Sequence, residues 1–202
     1  MSLGPGYFDQ MYAAAADPWG LATRWYETRK YALTMALLPD PHYQDAFEPG
    51  CSVGVLTGML ASRCGQLLAW DASRAAVRAA AARTAGLPNV RVRRGAIPGD
   101  WPAGQFDLIV FSEVLYYFTG RELDQVLDQG ITSLRPEGSL LAVHWRHPVA
   151  DYPRSGDDVH QVLAARRDLA RRVGHTETDF TAEVYQRAGR EVLSVAQAEG
   201  LA

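Results

Sequence analysis

The stretch from residue 46 to residue 57 has the residue types of a ligand-binding turn. It reads AFEPGCSVGVLT: a short apolar run reaching Glu48, a turn of small residues at Gly50-Cys51-Ser52-Val53-Gly54, and then an apolar run of helical type. Small residues leave the backbone open to a ligand, and the N–H groups at the start of a helix point toward it. The stretch therefore predicts a strand, a tight turn and a helix that bind a small molecule.

A second carboxylate, Asp71, ends the next apolar run, QLLAW. It suits the two vicinal hydroxyls of a ribose, because each can donate a hydrogen bond to one oxygen. NAD and other adenosine cofactors share that ribose, so the sequence of the turn must distinguish between these cofactors. Its spacing, Gly50-x-Ser52-x-Gly54, differs from the Gly-x-Gly-x-x-Gly of dinucleotide sites. Glu48 would also repel a pyrophosphate and attract an amino or sulfonium group. The pattern favours adenosine joined to an amino acid.

Alternating strands and helices must position these residues. Apolar runs predict strands near 46–49, 66–70, 90–93, 106–112, 139–144, 171–178 and 180–187. The run 106–112 is apolar nearly throughout and is expected at the centre. The last two runs are too close for a crossover helix and predict an antiparallel hairpin at one edge. The fold class is α/β: a doubly wound, Rossmann-like, mostly parallel seven-stranded sheet with helices on both faces. Four loops should meet at its ligand edge, those at 50–54, 71, 95–97 and 112–113.

Length and composition fit a single domain. The chain has 202 residues, and we expect a helical segment at 1–38, a core at 39–188 and a tail at 189–202. A net charge of −3 gives no sign of a nucleic-acid or anionic-membrane surface. The two cysteines do not form a disulfide framework or a metal site. No apolar run is long enough to span a membrane and no signal peptide is evident, so we expect a cytoplasmic protein. The oligomeric state stays open.

The ordered motifs resemble those of class I S-adenosylmethionine (SAM)-dependent methyltransferases. They are Glu48 to Gly54, Asp71, Gly95-Ala96-Ile97-Pro98 and the stretch from Phe106 to Tyr117. Within that class, Asp17-Pro18-Trp19-Gly20, 25–31, 112–117 and 144–148 are similar to the nodulation protein S (NodS) group, whose members N-methylate the deacetylated glucosamine end of a chitooligosaccharide. The similarity runs from residue 7 to about 190. Ser52 stands where the class usually has glycine.

The resemblance implies SAM as cofactor and S-adenosylhomocysteine (SAH) as product. The residues expected to bind it are Trp25, Arg29, Glu48, Gly50, Cys51, Ser52, Gly54, Asp71, Ala72, Ser73, Gly95, Ala96, Ile97 and Ser112. Structural alternatives stand beside these roles. Glu48 could accept from the N–H groups of the turn, Cys51 could simply fill it, and Ser73 is a good helix cap.

The acceptor side follows from the chemistry of methyl transfer, in which the enzyme aligns nucleophile, methyl and sulfur. An amine must be neutral to attack, so a base or a dehydrating pocket helps. The candidate catalytic residues are Glu113, Tyr117, His144 and His147. The tyrosine could instead be packing and the histidines hydrogen-bonded loop residues. A metal at His144-x-x-His147 is not expected, because no third ligand is evident.

The helix at 25–38 is expected to act as a lid, because Trp25 and Arg29 lie one turn apart and could close over the cofactor or a sugar. The acceptor is expected to be a small molecule, an amino sugar or another amine, with an oxygen acceptor as the alternative. Two other classes stay open: a nicotinamide-dependent oxidoreductase and an inert cofactor-binding domain.

Overall fold

A seven-stranded sheet forms the centre of the computed structural model, which describes residues 1–202. The strands are β1 (Tyr43–Pro49), β2 (Cys64–Asp71), β3 (Val90–Arg94), β4 (Phe106–Ser112), β5 (Leu134–Trp145), β6 (Leu169–Thr176) and β7 (Phe180–Arg187). Their spatial order is β3-β2-β1-β4-β5-β7-β6. Strands β1 to β5 pair in parallel, and β7 is antiparallel to both β5 and β6. The predicted fold class is confirmed, with β4 at the centre and the hairpin at one edge.

Seven helices connect or cover the strands. They are α1 (Pro5–Ala14), α2 (Trp25–Leu37), α3 (Val55–Leu60), α4 (Arg74–Arg83), α5 (Gly120–Ser133), α6 (Gly156–Ala165) and α7 (Val195–Ala198). Local sequence explains several of their starts. The Ser73 hydroxyl accepts from the N–H of Ala75 at the start of α4, and Ser155 and Asp158 form a capping box on α6. No helix has both the length and the apolarity to cross a lipid bilayer.

Apolar side chains cover both faces of the sheet. On one face, Phe111 and Leu127 belong to a cluster of 20 buried residues that includes α5 and α6. On the other, Leu60 and Leu108 belong to a cluster of 16 that includes α2 and α3. Burial on both sides explains why β4 reads as a continuous apolar run. Between β1 and β4 the connections leave in opposite directions, which creates the crevice where such sheets bind ligands.

Two strands have other bounds than predicted. Strand β5 begins at Leu134 rather than 139. Strand β6 covers Leu169–Thr176 rather than 171–178. Both differences lie at element boundaries, where local pattern is least informative. Within the segment predicted as helical, 1–38, helix α1 has Pro5 in its first turn, where the missing N–H is not needed.

Candidate cofactor and acceptor site

A cavity of about 430 Å³ lies at the carboxyl ends of β1, β2 and β4. Its floor contains the turn after β1 and the loops after β2, β3 and β4. Its cover comes from the N-terminal segment: Leu3, Phe8, Tyr12 and Trp19 line it together with one face of α2. The volume is in the range of small-molecule and cofactor sites.

The turn after β1 is fixed by hydrogen bonds to β2. The N–H groups of Gly50 and Cys51 both donate to the carbonyl of Trp70, over 2.7 and 2.9 Å. Gly50 and Ser52 have φ of 78° and 50°, and both line the cavity. The left-handed backbone conformation is more strained for serine than for glycine. Its hydroxyl forms a hydrogen bond with the hydroxyl of Tyr12, and its N–H donates to Asp71, so the neighbours of Ser52 support this conformation.

Gly54 lies outside the cavity and has a packing role. Its φ is 78°, and a Cβ there would lie 2.8 Å from the Cα of Ala80. The residue therefore allows α3 to begin directly against α4. The close approach that requires glycine here is to another helix, and the contact of Gly54 with the cofactor stays a prediction.

Asp71 lies at the end of β2 and lines the cavity. Its Oδ1 accepts from the N–H of Ser73 and its Oδ2 from the N–H of Ser52, each over 2.9 Å. Burial raises the pKa of this carboxyl to about 6 despite the two backbone donors. Each carboxylate oxygen can accept more than one hydrogen bond, so the group retains capacity for a ligand hydroxyl.

Glu48 is 2% exposed and also lines the cavity. Its Oε2 accepts from the hydroxyl of Thr57 over 2.6 Å, and no cationic side chain pairs with it. Burial raises its pKa to about 8. The alternative in which Glu48 accepts from the turn is not seen: the N–H groups of Gly50 and Cys51 donate to Trp70 and that of Ser52 to Asp71. An unpaired buried carboxyl on a cavity favours a cationic ligand group.

The loop after β3 and its neighbours form an apolar wall. Ala72, Gly95, Ala96 and Ile97 line the cavity, as do Ser112 and Cys51. A Cβ on Gly95 would lie 2.2 Å from the indole of Trp70, so only glycine fits there. The N–H of Ala96 is occupied, since it donates to Oδ2 of Asp100 over 2.9 Å. Burial raises the pKa of the Cys51 thiol, which disfavours a reactive thiolate.

Three predicted cofactor residues point away from the cavity besides Gly54. Ser73 is fully buried as the cap of α4. Trp25 is 76% exposed, and Arg29 forms a two-pronged ion pair with Glu177, with both distances at 2.7 Å. The helix face expected to form the lid therefore faces outward.

The inward face of α2 consists instead of Tyr26, Glu27, Lys30 and Tyr31, which line the cavity. Glu27, Lys30 and Tyr31 were not predicted as lining residues, because apolar periodicity assigns charged residues to the solvent face. Their spacing of three and four residues, and the fact that Lys30 is the only lysine in the chain, were the available signals.

Lys30 is 2% exposed and contacts two glutamates. Its Nζ lies 2.6 Å from Oε1 of Glu113 and 3.0 Å from Oε2 of Glu27. Although burial opposes the charge, the two carboxylates raise the pKa of Lys30. Glu113 also accepts from the hydroxyl of Tyr116 over 2.7 Å and from the N–H of Trp145 over 2.8 Å. Three donors thus engage the carboxylate predicted as a base.

Glu113 has φ of 58°, an uncommon conformation for a residue with a side chain. It lines the cavity at the end of β4, and its N–H donates to the carbonyl of Val143. Strain of this kind persists where surrounding contacts fix the residue. Glu113 therefore connects the cavity floor to α2 and to β5.

Neither predicted histidine lines the cavity. His144 is fully buried: its Nε2 accepts from the N–H of Leu115 over 3.3 Å, and its Nδ1 lies 3.2 Å from Nε2 of His160. Nδ1 of His160 lies 2.6 Å from Glu183. Burial, then the neighbouring His160, lower the pKa of His144. These contacts give a neutral His144 that supports the turn at Leu115.

His147 is on the surface, where its Nε2 lies 2.8 Å from Asp179. Tyr117 does line the cavity, and its hydroxyl lies 3.4 Å from that of Tyr152, another lining residue that sequence analysis missed. No cluster of three or more His, Cys, Asp or Glu side chains could bind a metal ion.

The sequence profile of the NodS family, nodulation protein S, matches residues 9–151. The chain belongs to the NodS family. The matched region contains most of the cavity: Tyr12, Lys30, Glu48, Asp71 and Glu113 all lie within it. It ends before β6 and β7, which lie at the far edge of the sheet.

Curated relatives support the NodS assignment. Nodulation protein S of Bradyrhizobium diazoefficiens is 32% identical over 130 residues, covering 63% of this chain and 62% of the relative. The Rhizobium tropici protein of the same name is 30% identical over 131 residues, covering 63% of this chain and 55% of the relative. The matching region thus spans less than two thirds of either curated NodS protein.

Solved structures show the same fold. A Pseudomonas syringae protein provisionally described as a methyltransferase is 44% identical, with a TM-score of 0.73 over 81% of this chain and 100% of that one. The N-methyltransferase NodS of Bradyrhizobium japonicum WM9, in complex with SAH, is 23% identical, with a TM-score of 0.82 over 93% of this chain and 100% of that one. At 23% identity, the match to the NodS structure shows that the two chains share a fold.

Proposed function

We propose that this chain is a SAM-dependent methyltransferase that methylates the amino group of a small molecule, with an amino sugar as the reference acceptor. The observation that carries the proposal is the placement of Glu48 and Asp71, two buried carboxyls with ligand-binding capacity, on one cavity at adjacent strand ends. Membership of the NodS family and the likeness to a SAH-bound NodS structure support it.

The cavity wall offers suitable residues for each part of the cofactor. Asp71 would bind the ribose hydroxyls, and Glu48 would face the amino group of the methionine part. Ala72, Ala96 and Ile97 would border the adenine. When bound, SAM supplies a methyl group activated by the sulfonium. The chain then has to seat the acceptor and exclude water around it.

An amine acceptor fits the electrostatics of the cavity better than an anionic one. Glu27, Asp71 and Glu113 line it against the cationic groups of Lys30 and Arg24, and Glu48 adds a further negative charge when it ionises. Tyr117, Tyr152 and Trp145 add aromatic surface beside these groups, which suits the faces of a sugar. The excess of carboxyl groups favours a ligand that carries positive charge.

The N-terminal segment would act as the cover of this single domain. Residues 1–38 contribute lining side chains from α1, the segment after it, and α2. We place the enzyme in the cytoplasm because Cys51 and Cys64 are both free and buried, as in proteins of reducing compartments.

Calorimetric titration with SAH tests the cofactor, with NADH as a control ligand. Transfer of labelled methyl from SAM to deacetylated chitooligosaccharides, amino sugars and simple amines tests the acceptor, with the N-acetylated sugars as controls. We expect SAH to bind at micromolar concentration, NADH not to bind, and only the free amines to be methylated. Absence of SAH binding at high micromolar ligand would overturn the methyltransferase proposal.

A further inference from the structure

Two polar atoms on the inward face of α2 are buried without a hydrogen-bond partner. They are the hydroxyl of Tyr26 and Oε2 of Glu27, on consecutive residues that both line the cavity. The side chain of Glu27 is 9% exposed. Lys30 lies 3.0 Å from this oxygen but not along a hydrogen-bond direction. Buried polar atoms without partners are rare, and on a cavity they point to a ligand group that satisfies them.

The charges around Glu27 leave one negative charge uncompensated. Lys30 is a single cation shared by two carboxylates, and its shorter contact, 2.6 Å, is to Glu113. The charge of Arg24, just before α2, acts to lower the pKa of Glu27, but Arg24 is exposed and forms no ion pair with it. Glu113 has three donors, whereas Oε2 of Glu27 has only its ion-pair contact with Lys30. One additional cationic donor would balance the group.

We infer that Glu27 is the catalytic base that receives the acceptor as an ammonium ion, with the hydroxyl of Tyr26 as the second acceptor of its N–H groups. The inference rests on the proposed function and names the amine-binding part of that site. An ammonium group donates three hydrogen bonds, and the two partnerless acceptors belong to residues that both line the cavity it would enter. The ring of Tyr26 packs edge-on against Trp145, with centroids 5.5 Å apart, which places aromatic surface beside this pair.

The proton step balances simply. The ammonium transfers one proton to the carboxylate of Glu27, which gives a neutral amine and a neutral carboxylic acid. The nitrogen lone pair then forms the new bond to the methyl carbon, and the carbon–sulfur bond breaks with its electrons staying on sulfur. Burial raises the pKa of Glu27, and Glu113 adds to this, while Lys30 and Arg24 oppose it. A raised pKa makes the carboxylate a better base near neutral pH.

Variants at Glu27 test the inference by kinetics. We expect Glu27→Gln to lower kcat/KM for an amine acceptor at least 100-fold at pH 7 while the Kd for SAH stays within twofold. The defect should shrink at pH values above the pKa of the acceptor amine, where a base is no longer needed. Tyr26→Phe should raise KM about tenfold with little change in kcat. Thr28→Ala, next to Glu27 but exposed, is the matched control and should leave all constants unchanged.

A binding experiment makes the result independent of turnover. D-glucosamine and N-acetyl-D-glucosamine are titrated by NMR into the SAH-saturated protein. We expect at least a tenfold preference for the amine in the unmodified protein, lost in Glu27→Gln. Equal binding of both sugars to the unmodified protein, or a native pH–rate profile in Glu27→Gln, would overturn the inference and leave the methyltransferase proposal intact. Failure of SAH itself to bind would instead remove the proposed function.

Discussion

The backbone N–H of Ser52 donates to Oδ2 of Asp71 over 2.9 Å, which joins the turn after β1 to the end of β2. The other carboxylate oxygen, Oδ1, accepts from the N–H of Ser73 over the same distance. One side chain therefore fixes two loops of the cavity before any ligand arrives. A site built in this way loses little conformational entropy when the ligand binds.

Replacement of Asp71 by alanine should weaken SAH binding more than tenfold. The change removes the proposed ribose acceptor and the anchor of two loops, and each lost hydrogen bond costs about 1 kcal/mol of stability. The measurement is the Kd by calorimetry, with the melting temperature recorded alongside.

Asp107→Ala is a matched control for the Asp71 experiment. The carboxylate of Asp107 also accepts from two backbone N–H groups, those of Gln44 and Asp45, at the opposite end of the sheet. The Asp107→Ala substitution should lower the melting temperature by about as much as Asp71→Ala does, and it should leave the affinity for SAH unchanged. An unaltered Kd in Asp71→Ala would contradict the ribose assignment.

The affinity for SAH should rise with pH because of Glu48. Its pKa is about 8 in the unliganded fold, so near pH 7 the group is mostly protonated. Pairing with the ligand's amino group requires the ionised form, and binding must then release a proton. We expect a several-fold gain in affinity from pH 6 to pH 8, and a heat of binding that depends on the buffer's ionisation enthalpy. Glu48→Gln should bind SAH more weakly, and its binding should depend neither on pH nor on the ionisation enthalpy of the buffer.

The same group should affect the stability of the unliganded protein. The folded form retains the proton of Glu48 up to about pH 8, whereas the unfolded chain releases it near the ordinary value of 4.5. The unfolded state therefore binds fewer protons between these values, and Glu48 destabilises the fold as pH rises through that window. Denaturation midpoints at pH 5 and pH 8 should differ less in Glu48→Gln than in the unmodified chain.

The sheet and its ligand edge were predictable because their signals are local. Buried parallel strands read as apolar runs such as 106–112, and the small residues of 50–54 mark the turn. Asp71 was predictable from its position at the end of such a run. Ser52, the irregular residue of the turn, has the left-handed conformation in which glycine is easier, and its contact with Tyr12 was not predictable from local sequence.

The cover of the cavity was not predictable by the same reasoning. The face of α2 that is buried carries Glu27 and Lys30, charged residues that a search for apolar periodicity assigns to solvent. They are buried because Lys30 forms ion pairs with Glu27 and with Glu113, which lies 83 residues further along the chain from Lys30. His144 was placed in the site because its strand ends there, but side chains alternate in direction along a strand. The neighbouring Trp145 lines the cavity instead.

Removal of residues 1–14 should weaken SAH binding more than tenfold. These residues include α1, which contributes Phe8 and Tyr12 to the cavity lining, and Leu3, whose N–H donates to the carbonyl of Tyr117. Without them the cavity is open to water. Calorimetry should show the loss while circular dichroism shows an intact sheet.

A truncation at the other end controls for the loss of chain. Residues 195–202 include α7 and do not line the cavity. Their removal should leave the Kd for SAH unchanged. Equal effects of the two truncations, or none from the first, would argue against a covering role for the N-terminal segment.

Lys30→Met should destabilise the fold by about 3–5 kcal/mol, because it leaves two nearby buried carboxylates without a counter-ion. The cost should fall as pH decreases, since protonation of Glu27, whose pKa burial raises, then relieves the repulsion. Urea denaturation at pH 5 and pH 8 measures this. The double variant Lys30→Met/Glu113→Gln should recover part of the loss, and a purely additive result would show that the ion pair contributes little.

His144→Leu should lower stability by about 1–3 kcal/mol and kcat by about tenfold, because the N–H of Leu115 and Nε2 of His160 both lose their partner. The turn that carries Tyr116 and Tyr117 then loses its support. His144→Gln, which can still accept from Leu115, should recover part of both losses. Urea denaturation and steady-state kinetics measure them.

The pH dependence separates this supporting role from a catalytic one. Burial lowers the pKa of His144 in the folded state, so the unfolded chain binds a proton below its ordinary value of 6.5 that the folded chain refuses. The unmodified protein should therefore lose stability as pH falls below 6.5, and His144→Leu should lose less. The pH–rate profile of His144→Leu should keep the shape seen for the unmodified protein, because a histidine that stays neutral does not titrate during the assay. A profile that lost one limb, with kcat/KM reduced more than 100-fold, would instead identify His144 as the proton acceptor.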